Sequence, residues 1–325
     1  MTELLDRVRE AGLLGADRPV LVLYSGGRDS TCLLDLAVRI AGPGAVTALH
    51  VNYGLREAAA EDERHCERLC AELAVELELR RPRRPEIGNL QAWARDQRYG
   101  AAALLASARG ADVAAGHTST DQVETILYRL ASSPSRRALL GMRPRDGLLI
   151  RPLLPFTRED TAAYCVARGL EWREDQSNES DAYARSRIRH RLVPALQAAH
   201  PAAQANVLAL AEILREEGAV LDELVDSVLE RRHEISLARL RELPAALRRL
   251  VVQRLADAAA GEPAAGVGRR ADEVAAMNDR GSAALDLPHG VRATATSGVV
   301  RFGRTPRARN APPPTQSPGR EASPS

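Results

Sequence analysis

The residues with the clearest chemical potential are Ser25-Gly26-Gly27-Arg28-Asp29-Ser30, which follow the apolar run Val20–Tyr24 and precede the helical pattern Thr31–Ala37. A strand passing through two adjacent glycines into a helix lets backbone amides approach an anion closely. The helix N-terminus adds positive dipole behind it. The Ser25 and Ser30 hydroxyls can donate to phosphate oxygens. Asp29 would repel a bare phosphate, so its expected partner is Mg²⁺ bridging the β- and γ-phosphates of a nucleotide. The loop is neither a Gly-Lys-Ser/Thr phosphate loop nor a Gly-x-Gly-x-x-Gly dinucleotide fingerprint. A tight strand–helix turn with serine as its cap is the plainer alternative for the same residues.

Three further clusters could do chemistry. Arg95 and Arg98 are three apart in a helical pattern and share a face, suited to phosphate or simply to solvent. Asp121 and Glu124 also fall on one helical face, where paired carboxylates could hold an ammonium or only complement a helix dipole. Arg185, Arg187, Arg189 and Arg191, with His190, form a dense cationic run. Arginine's planar fork bonds phosphate bidentately, although a generic basic helix face has the same composition. All 45 basic residues are arginine. A Schiff-base lysine or a phosphate-loop lysine is therefore excluded, and every fixed side-chain cation must be Arg or protonated His.

These residues need a scaffold. Apolar runs at Val20–Tyr24, Ala45–Val51, Val75–Leu79, Asp112–Gly116 and Leu148–Ile150 alternate with helical stretches near 30–41, 57–74, 89–109 and 119–131. This pattern predicts a Rossmann-like α/β domain over 1–200 with a parallel five-stranded sheet. Thr157 and Asp160 read as a capping box that opens another helix at 158–168. After Pro201 helical periodicity takes over to about residue 260. Strand-like runs follow at Ala284–Leu287 and Val291–Thr296, with Val299–Phe302 as a third. The expectation is a smaller, mostly helical domain over 201–303 ending in a β-hairpin. The Pro/Ser/Arg-rich segment 304–325 is expected to be a disordered tail.

Composition narrows the class. Two Trp, six Tyr and two Phe leave the core to aliphatic residues. A formal charge of +2 neither demands nor excludes nucleic acid. Cys32, Cys66, Cys70 and Cys165 contain no Cys-x-x-Cys pair, a poor start for a zinc or iron–sulfur site. Without a signal peptide or an apolar run of membrane-spanning length, the expectation is a cytoplasmic protein with reduced thiols and no membrane partner.

The Ser25–Ser30 loop resembles the Ser-Gly-Gly-x-Asp-Ser signature of the PP-loop ATP pyrophosphatases, which cleave ATP to AMP and pyrophosphate and activate a carbonyl oxygen by adenylation. Four further segments resemble the tRNA(Ile)-lysidine synthetase branch. The first is Val51-Asn52-Tyr53-Gly54-Leu55-Arg56, where the family has His at the place of Tyr53. The second is Asn89 with Ala94–Tyr99. The third is Gly116-His117-Thr118-Ser119-Thr120-Asp121-Gln122-Val123-Glu124-Thr125, with Thr120 replacing an Asp. The fourth joins Arg151-Pro152-Leu153-Leu154 to Trp172, Asp175-Gln176-Ser177-Asn178 and the arginine run, ahead of Leu192 and Pro194. A family Arg-Gly-Ser/Thr-Gly stretch is replaced here by Ser132-Ser133-Pro134-Ser135.

The resemblance implies a ligase that uses ATP and Mg²⁺. The wobble cytidine of the CAU-anticodon isoleucine tRNA is adenylated, and the ε-amine of free L-lysine then displaces AMP. It implies catalytic roles for Asp29, Arg95, Arg98, Asp121 and Glu124. Nucleotide contacts fall to Ser25, Gly26, Gly27, Arg28, Asp29, Ser30, His50, Asn52 and His117, with Mg²⁺ on Asp29. Lysine falls to Asp121 and Glu124, and tRNA to Arg185, Arg187, Arg189 and Arg191. A homodimer is left open. A PP-loop tRNA thiolase is the enzymatic rival, weakened by the absent Cys-x-x-Cys. A degenerate, non-catalytic tRNA-binding protein is the rival from another class.

Overall fold

A computed structural model describes residues 2–54, 59–85, 89–133, 135–173 and 184–306. The chain divides into two compact units, Met1–Arg215 and Glu216–Ser325. In order, the elements of the first are α1 (Thr2–Glu10), β1 (Val20–Leu23), α2 (Arg28–Ala41), β2 (Val46–Val51), α3 (Ala59–Glu72), β3 (Glu76–Arg80), α4 (Leu90–Arg109) and β4 (Asp112–Ala114). They continue with α5 (Ser119–Ser132), α6 (Arg136–Leu139), β5 (Arg145–Asp146), β6 (Leu149–Ile150), α7 (Arg158–Arg168), α8 (Ala184–Arg187), a π-helical turn (Ile188–Leu192) and α9 (Val193–Ala199). The change of texture after Pro201 coincides with the start of α10 (Ala203–Leu229), which carries the division between the units.

The sheet has the order β3-β2-β1-β4-β6-β5. All neighbours are parallel except β5, which pairs antiparallel with β6. The expected five parallel strands are therefore joined by a sixth. Two residues fold back through Gly147 (φ 60°), and Arg145 is held by a bidentate pair to Asp112 at 2.9 Å. So short and polar a strand carries no alternation from which it could be read. All four residues of β1 are buried, as helices cover both faces of a parallel sheet. Val20, Val22 and Tyr24 pack with α1, α2 and α7 through Leu5, Leu33, Leu36 and Tyr164. Leu21 and Leu23 meet Ala102 and Ala106 of α4 on the other face.

Two strands matter most for position. The order runs outward from β1 in one direction to β2 and β3, and in the other to β4. Their carboxyl ends thus flank the switch point where such sheets open a ligand crevice. The loop after β1 is Ser25–Gly27, and the segment after β4 is Ala115–Thr118.

The second unit holds β7 (Glu234–Ser236), α11 (Leu237–Glu242), α12 (Ala245–Ala260), α13 (Ala271–Ala275), β8 (Ser282–Leu287), β9 (Val291–Thr296) and β10 (Val299–Arg304). The expected terminal hairpin is a four-stranded antiparallel sheet of order β7-β10-β9-β8. Its inner face carries Ile235, Leu287, Val291, Ala293, Ala295 and Val300 against Val251, Val252 and Leu255 of α12. Residues 307–325, most of the segment expected to be disordered, lie outside the described residues.

Candidate active site

The loop after β1 is tied by its own hydroxyls. Ser30 Oγ donates to the Gly27 carbonyl at 2.8 Å, accepts from the Ser25 amide at 3.2 Å and lies 3.0 Å from Ser25 Oγ. Gly26 takes φ 81°, and a β-carbon there would meet Cys66 Sγ at 3.1 Å, so glycine is needed for both conformation and space. The Arg173 amide donates to the Gly26 carbonyl at 2.9 Å, while its guanidinium holds Asp62 and Glu61. A β-carbon on Gly116 would lie 3.0 Å from the Asp29 carbonyl oxygen. The Gly-His motif after β4 is therefore packed directly on the backbone that opens α2.

Beside this loop six charged side chains converge. α5 opens on a capping box in which the Thr118 amide and hydroxyl both donate to Asp121 Oδ2 at 2.9 Å. The Ser119 amide donates to the Phe156 carbonyl at 2.8 Å, which brings the start of α7 alongside. α7 is locked on α2 by Tyr164 and Arg168, both bonded to buried Asp35, and by Thr161, whose hydroxyl donates to Asp29 Oδ1 at 2.5 Å. Arg158, on the first turn of α7, then reaches all three acids: Asp121 at 2.9 Å, Asp29 at 3.8 Å and Glu124 at 3.8 Å. Glu124 is fully buried. It accepts from Arg189 Nε at 2.6 Å, Arg189 Nη2 at 3.0 Å and Arg185 Nε at 3.3 Å. These three guanidiniums face three carboxylates, and Arg28 adds a further one at Asp29.

The fields follow from this geometry. Burial alone would raise the Asp121 carboxyl, but Arg158, the Thr118 amide and Arg185 outweigh it and hold the group below the usual carboxylate range. Burial opposes the Arg189 charge, yet Glu124 keeps that guanidinium more firmly protonated than usual. His117, between these groups, is pushed down to about 4, first by burial, against Asp121, and with Arg151, Arg185 and Arg98 adding to the shift. Its buried Nδ1 has no hydrogen-bond partner among the described residues. A neutral imidazole with an unanswered nitrogen suits a hydrogen bond to a ligand better than it suits proton donation.

The other residues singled out in the sequence fall in several places. Arg95 and Arg98 both stack on Tyr99, at 4.6 and 5.3 Å from the ring centre, and buried Arg98 Nε has no partner among the described residues. Asn52 shapes the loop after β2, accepting from the Gly54 amide and donating to Glu63 at 2.9 Å. Tyr53 docks on α4 by a bond to the Ala94 carbonyl and an edge contact with Trp93. His50 is buried, with Nδ1 3.0 Å from the Tyr24 carbonyl and 3.3 Å from Cys66 Sγ, so these contacts place it in the frame behind the loop. Arg28 pairs with Asp29 at 3.0 Å. Arg187 and Arg191 line a groove along α5 beyond Glu124. Leu55, Arg56, Pro134, Asp175, Ser177 and Asn178 lie outside the described residues.

Arg158 and Thr161 were not singled out in the sequence. The available signal was an arginine in the first turn of a capped helix, where a cation opposes the dipole and needs an anion nearby to hold it. Among the described residues no cluster of three or more His, Cys, Asp or Glu could cage a metal. The donor set still fits Mg²⁺, which takes one or two carboxylates and completes its octahedron with water and phosphate. Asp29 offers such a carboxylate, with Oδ1 bonded to Arg28 and Thr161 and Oδ2 3.8 Å from Arg158.

Comparison with known proteins agrees with this geometry. The profile of a family described as a PP-loop domain matches residues 3–196. The tRNA(Ile)-lysidine synthase of Symbiobacterium thermophilum is 36% identical over 336 aligned positions, covering 93% of this chain and 69% of that protein. The Geobacter sulfurreducens enzyme of the same name is 33% identical, covering 91% and 67%. The Pseudomonas fluorescens one is 39% identical over 211 residues, covering 62% of this chain, which spans about half (47%) of that relative. Among solved structures, the U34-tRNA thiolase NcsA from Methanococcus maripaludis with its [4Fe-4S] cluster has a TM-score of 0.56 at 18% identity over 66% of this chain and 78% of that one, a likeness of fold. By its match to the domain profile and to relatives along nearly its whole length, the chain belongs to the tRNA(Ile)-lysidine synthase family of PP-loop proteins.

Proposed function

We propose that the chain is an ATP-dependent ligase that converts the wobble cytidine of the CAU-anticodon isoleucine tRNA to lysidine. The observation that carries this reading, beside the family, is a buried acid pair packed against a phosphate loop at one switch point. The loop amides and the α2 N-terminus hold the polyphosphate, and Asp29 holds Mg²⁺, which supplies charge neutralisation for the departing pyrophosphate. The cytidine 2-carbonyl oxygen bonds to the α-phosphorus as pyrophosphate leaves. The lysine ε-nitrogen then bonds to carbon 2, the carbon–oxygen bond breaks to release AMP, and the amine gives up its proton. Arg95, Arg98 and neutral His117 stabilise charge around the adenylate rather than forming a covalent bond.

Asp121 and Glu124 receive lysine, which means that an ammonium must replace a guanidinium. Arg185 is the member suited to yield: its side chain is 45% exposed and its contacts, 3.3 and 3.6 Å, are longer than those of Arg189 to Glu124. Thiolation fits less well. All four cysteines are buried, and burial pushes the Cys66 and Cys70 thiols up to about 12, far from the thiolate that sulfur transfer needs. A tRNA substrate places the reaction in the cytoplasm. Among the described residues no helix is long and apolar enough to cross a membrane.

The test is mass analysis of the isoleucine tRNA after incubation with ATP, Mg²⁺ and lysine. One lysine should be added at the wobble cytidine, and Asp29→Ala should abolish pyrophosphate release while tRNA still binds. Unmodified tRNA with wild-type protein would reduce the chain to a binding protein.

A further inference from the structure

One turn beyond Glu124 on α5 stands Tyr128, and the surface there changes character. Tyr128 is 45% exposed. With Ala131 it faces Ile188, Leu192, Arg187 and Arg191 across a groove of about 550 Å³. Ile188 is buried against Val123, Leu127 and Val193, so the floor is built into the core. Small residues along the walls leave the tyrosine ring accessible. Among the described residues none that lines the groove is acidic, and two are arginines four apart.

The arginine run is thereby divided between two tasks along one helix. Arg185 and Arg189 turn to Glu124, whereas Arg187 and Arg191 edge the groove. The π-helical turn Ile188–Leu192 shifts the hydrogen-bond register where this division is made, a feature that recurs at functional sites.

We propose that this groove is a stacking subsite for an unpaired nucleobase flanking the one that reacts, with its base on the Tyr128 ring and its phosphates at Arg187 and Arg191. The inference rests on the tRNA reading above and extends it to a second contact. A planar ring over an apolar floor with two arginines at the rim matches single-stranded RNA: every base has a face to stack and every linkage a charge to meet. The volume is in the range of small-ligand clefts, ample for one base. A strand whose reacting base meets the lysine held beside Glu124 delivers its neighbour one helical turn along α5.

The experiment compares Tyr128→Phe, Tyr128→Leu and Tyr128→Ala in the full chain with an anticodon stem–loop RNA carrying CAU. Affinity is read by fluorescence anisotropy, and KM for RNA and for ATP by steady-state kinetics. Loss of one stacked base should weaken RNA binding about ten- to hundredfold in the Leu and Ala variants. Phe should stay within about twofold of wild type. KM for ATP and the thermal midpoint of the Leu variant should not move. If Leu binds RNA as well as Tyr, the groove wants apolar bulk, as a protein side chain would supply, and the proposal is overturned. A loss in Phe equal to that in Leu would assign the effect to the hydroxyl and overturn it equally. Anisotropy needs no turnover, so a chain that binds RNA through Tyr128 without modifying it would sink the ligase reading and leave this subsite standing.

Discussion

Glu124 has no exposed surface, yet it receives four hydrogen-bonding or close ionic contacts from Arg158, Arg185 and Arg189. A carboxylate so placed has two possible duties, to hold the arginines or to hold a substrate cation, and thermodynamics can separate them. Removing one partner of a buried pair leaves the other charge uncompensated, at a cost of about 3–5 kcal/mol. We expect Glu124→Gln and Arg189→Gln each to lower the unfolding midpoint. The double variant should lose less than the sum, by about 0.5–3 kcal/mol, because one interaction is being removed twice. Function should not follow the same cycle. KM for lysine should rise further in Glu124→Gln than in Arg189→Gln, with pyrophosphate release retained in both. Equal lysine dependence in the two singles would confine Glu124 to positioning Arg189. At this scale the sequence was partly legible. The spacing of Asp121 and Glu124 puts both on one face, as observed. That Arg185 and Arg189 turn inward was not legible, because four arginines at alternate positions read as one uniform run. Their i, i+4 spacing puts Arg185 and Arg189 on one face and Arg187 and Arg191 on another, but which face meets Glu124 is set only by the packing of this helix on α5.

Between elements, the site depends on how closely β4 meets α2. The Thr157–Asp160 capping box was readable from two residue types three apart, and both of its bonds form, Asp160 N to Thr157 Oγ1 at 3.1 Å and Thr157 N to Asp160 Oδ2 at 2.8 Å. The helix it opens covers Arg158–Arg168, as its pattern predicts. The Thr118–Asp121 box has the same spacing but lay hidden inside a motif read for its acids. It commits Asp121 Oδ2 to the helix start and turns Oδ1 to Arg158 at 2.9 Å. Gly116 was legible only as part of a motif. Its reason is steric, since its α-carbon lies against the Asp29–Ser30 backbone of another element. Gly116 lacks a positive φ, so Gly116→Ala brings no backbone strain and acts only by pushing β4 and α2 apart. Misplacement of catalytic groups by about 1 Å can cost on the order of a hundredfold. We therefore expect pyrophosphate release to fall about ten- to hundredfold in Gly116→Ala, with tRNA affinity within about twofold of wild type. A variant with unimpaired pyrophosphate release would show that this contact does not set the loop.

For the molecule as a whole, local pattern foretold the parallel sheet because its central strands β1, β2 and β4 are buried runs and the edge strand β3 keeps an alternating Leu77 and Leu79. It missed β7, three residues that pair with β10 more than sixty positions away and so leave no local trace. Titration behaviour is equally non-local, because it depends on what the fold packs around each ring. Of the seven histidines, His50, His65 and His117 are all held neutral by burial, with His117 pushed down to about 4. The unfolded chain protonates these rings near 6.5 while the folded chain does not. The unfolded state therefore binds more protons below that pH, and stability must fall as the solution is acidified. The window is set by the shifts themselves: full stability above about 6.5, and progressive loss toward 4, where His117 at last protonates in the fold. Asp121, held below its usual carboxylate range, loses its contribution only at still lower pH and does not confuse the reading. Urea unfolding from pH 7.5 to pH 5 should show the loss, each ring contributing at most about 1.4 kcal/mol per pH unit. His117→Asn should flatten that slope by up to one proton's worth, whatever it does to stability at neutral pH. Asp121 favours the His117 cation, whereas Arg151, Arg185 and Arg98 oppose it, so Asp121→Asn should push the ring lower still and leave the loss below pH 6.5 in place. An unchanged slope in His117→Asn would mean that the ring gains a proton in the fold as readily as outside it, and that its unanswered nitrogen is reached by water.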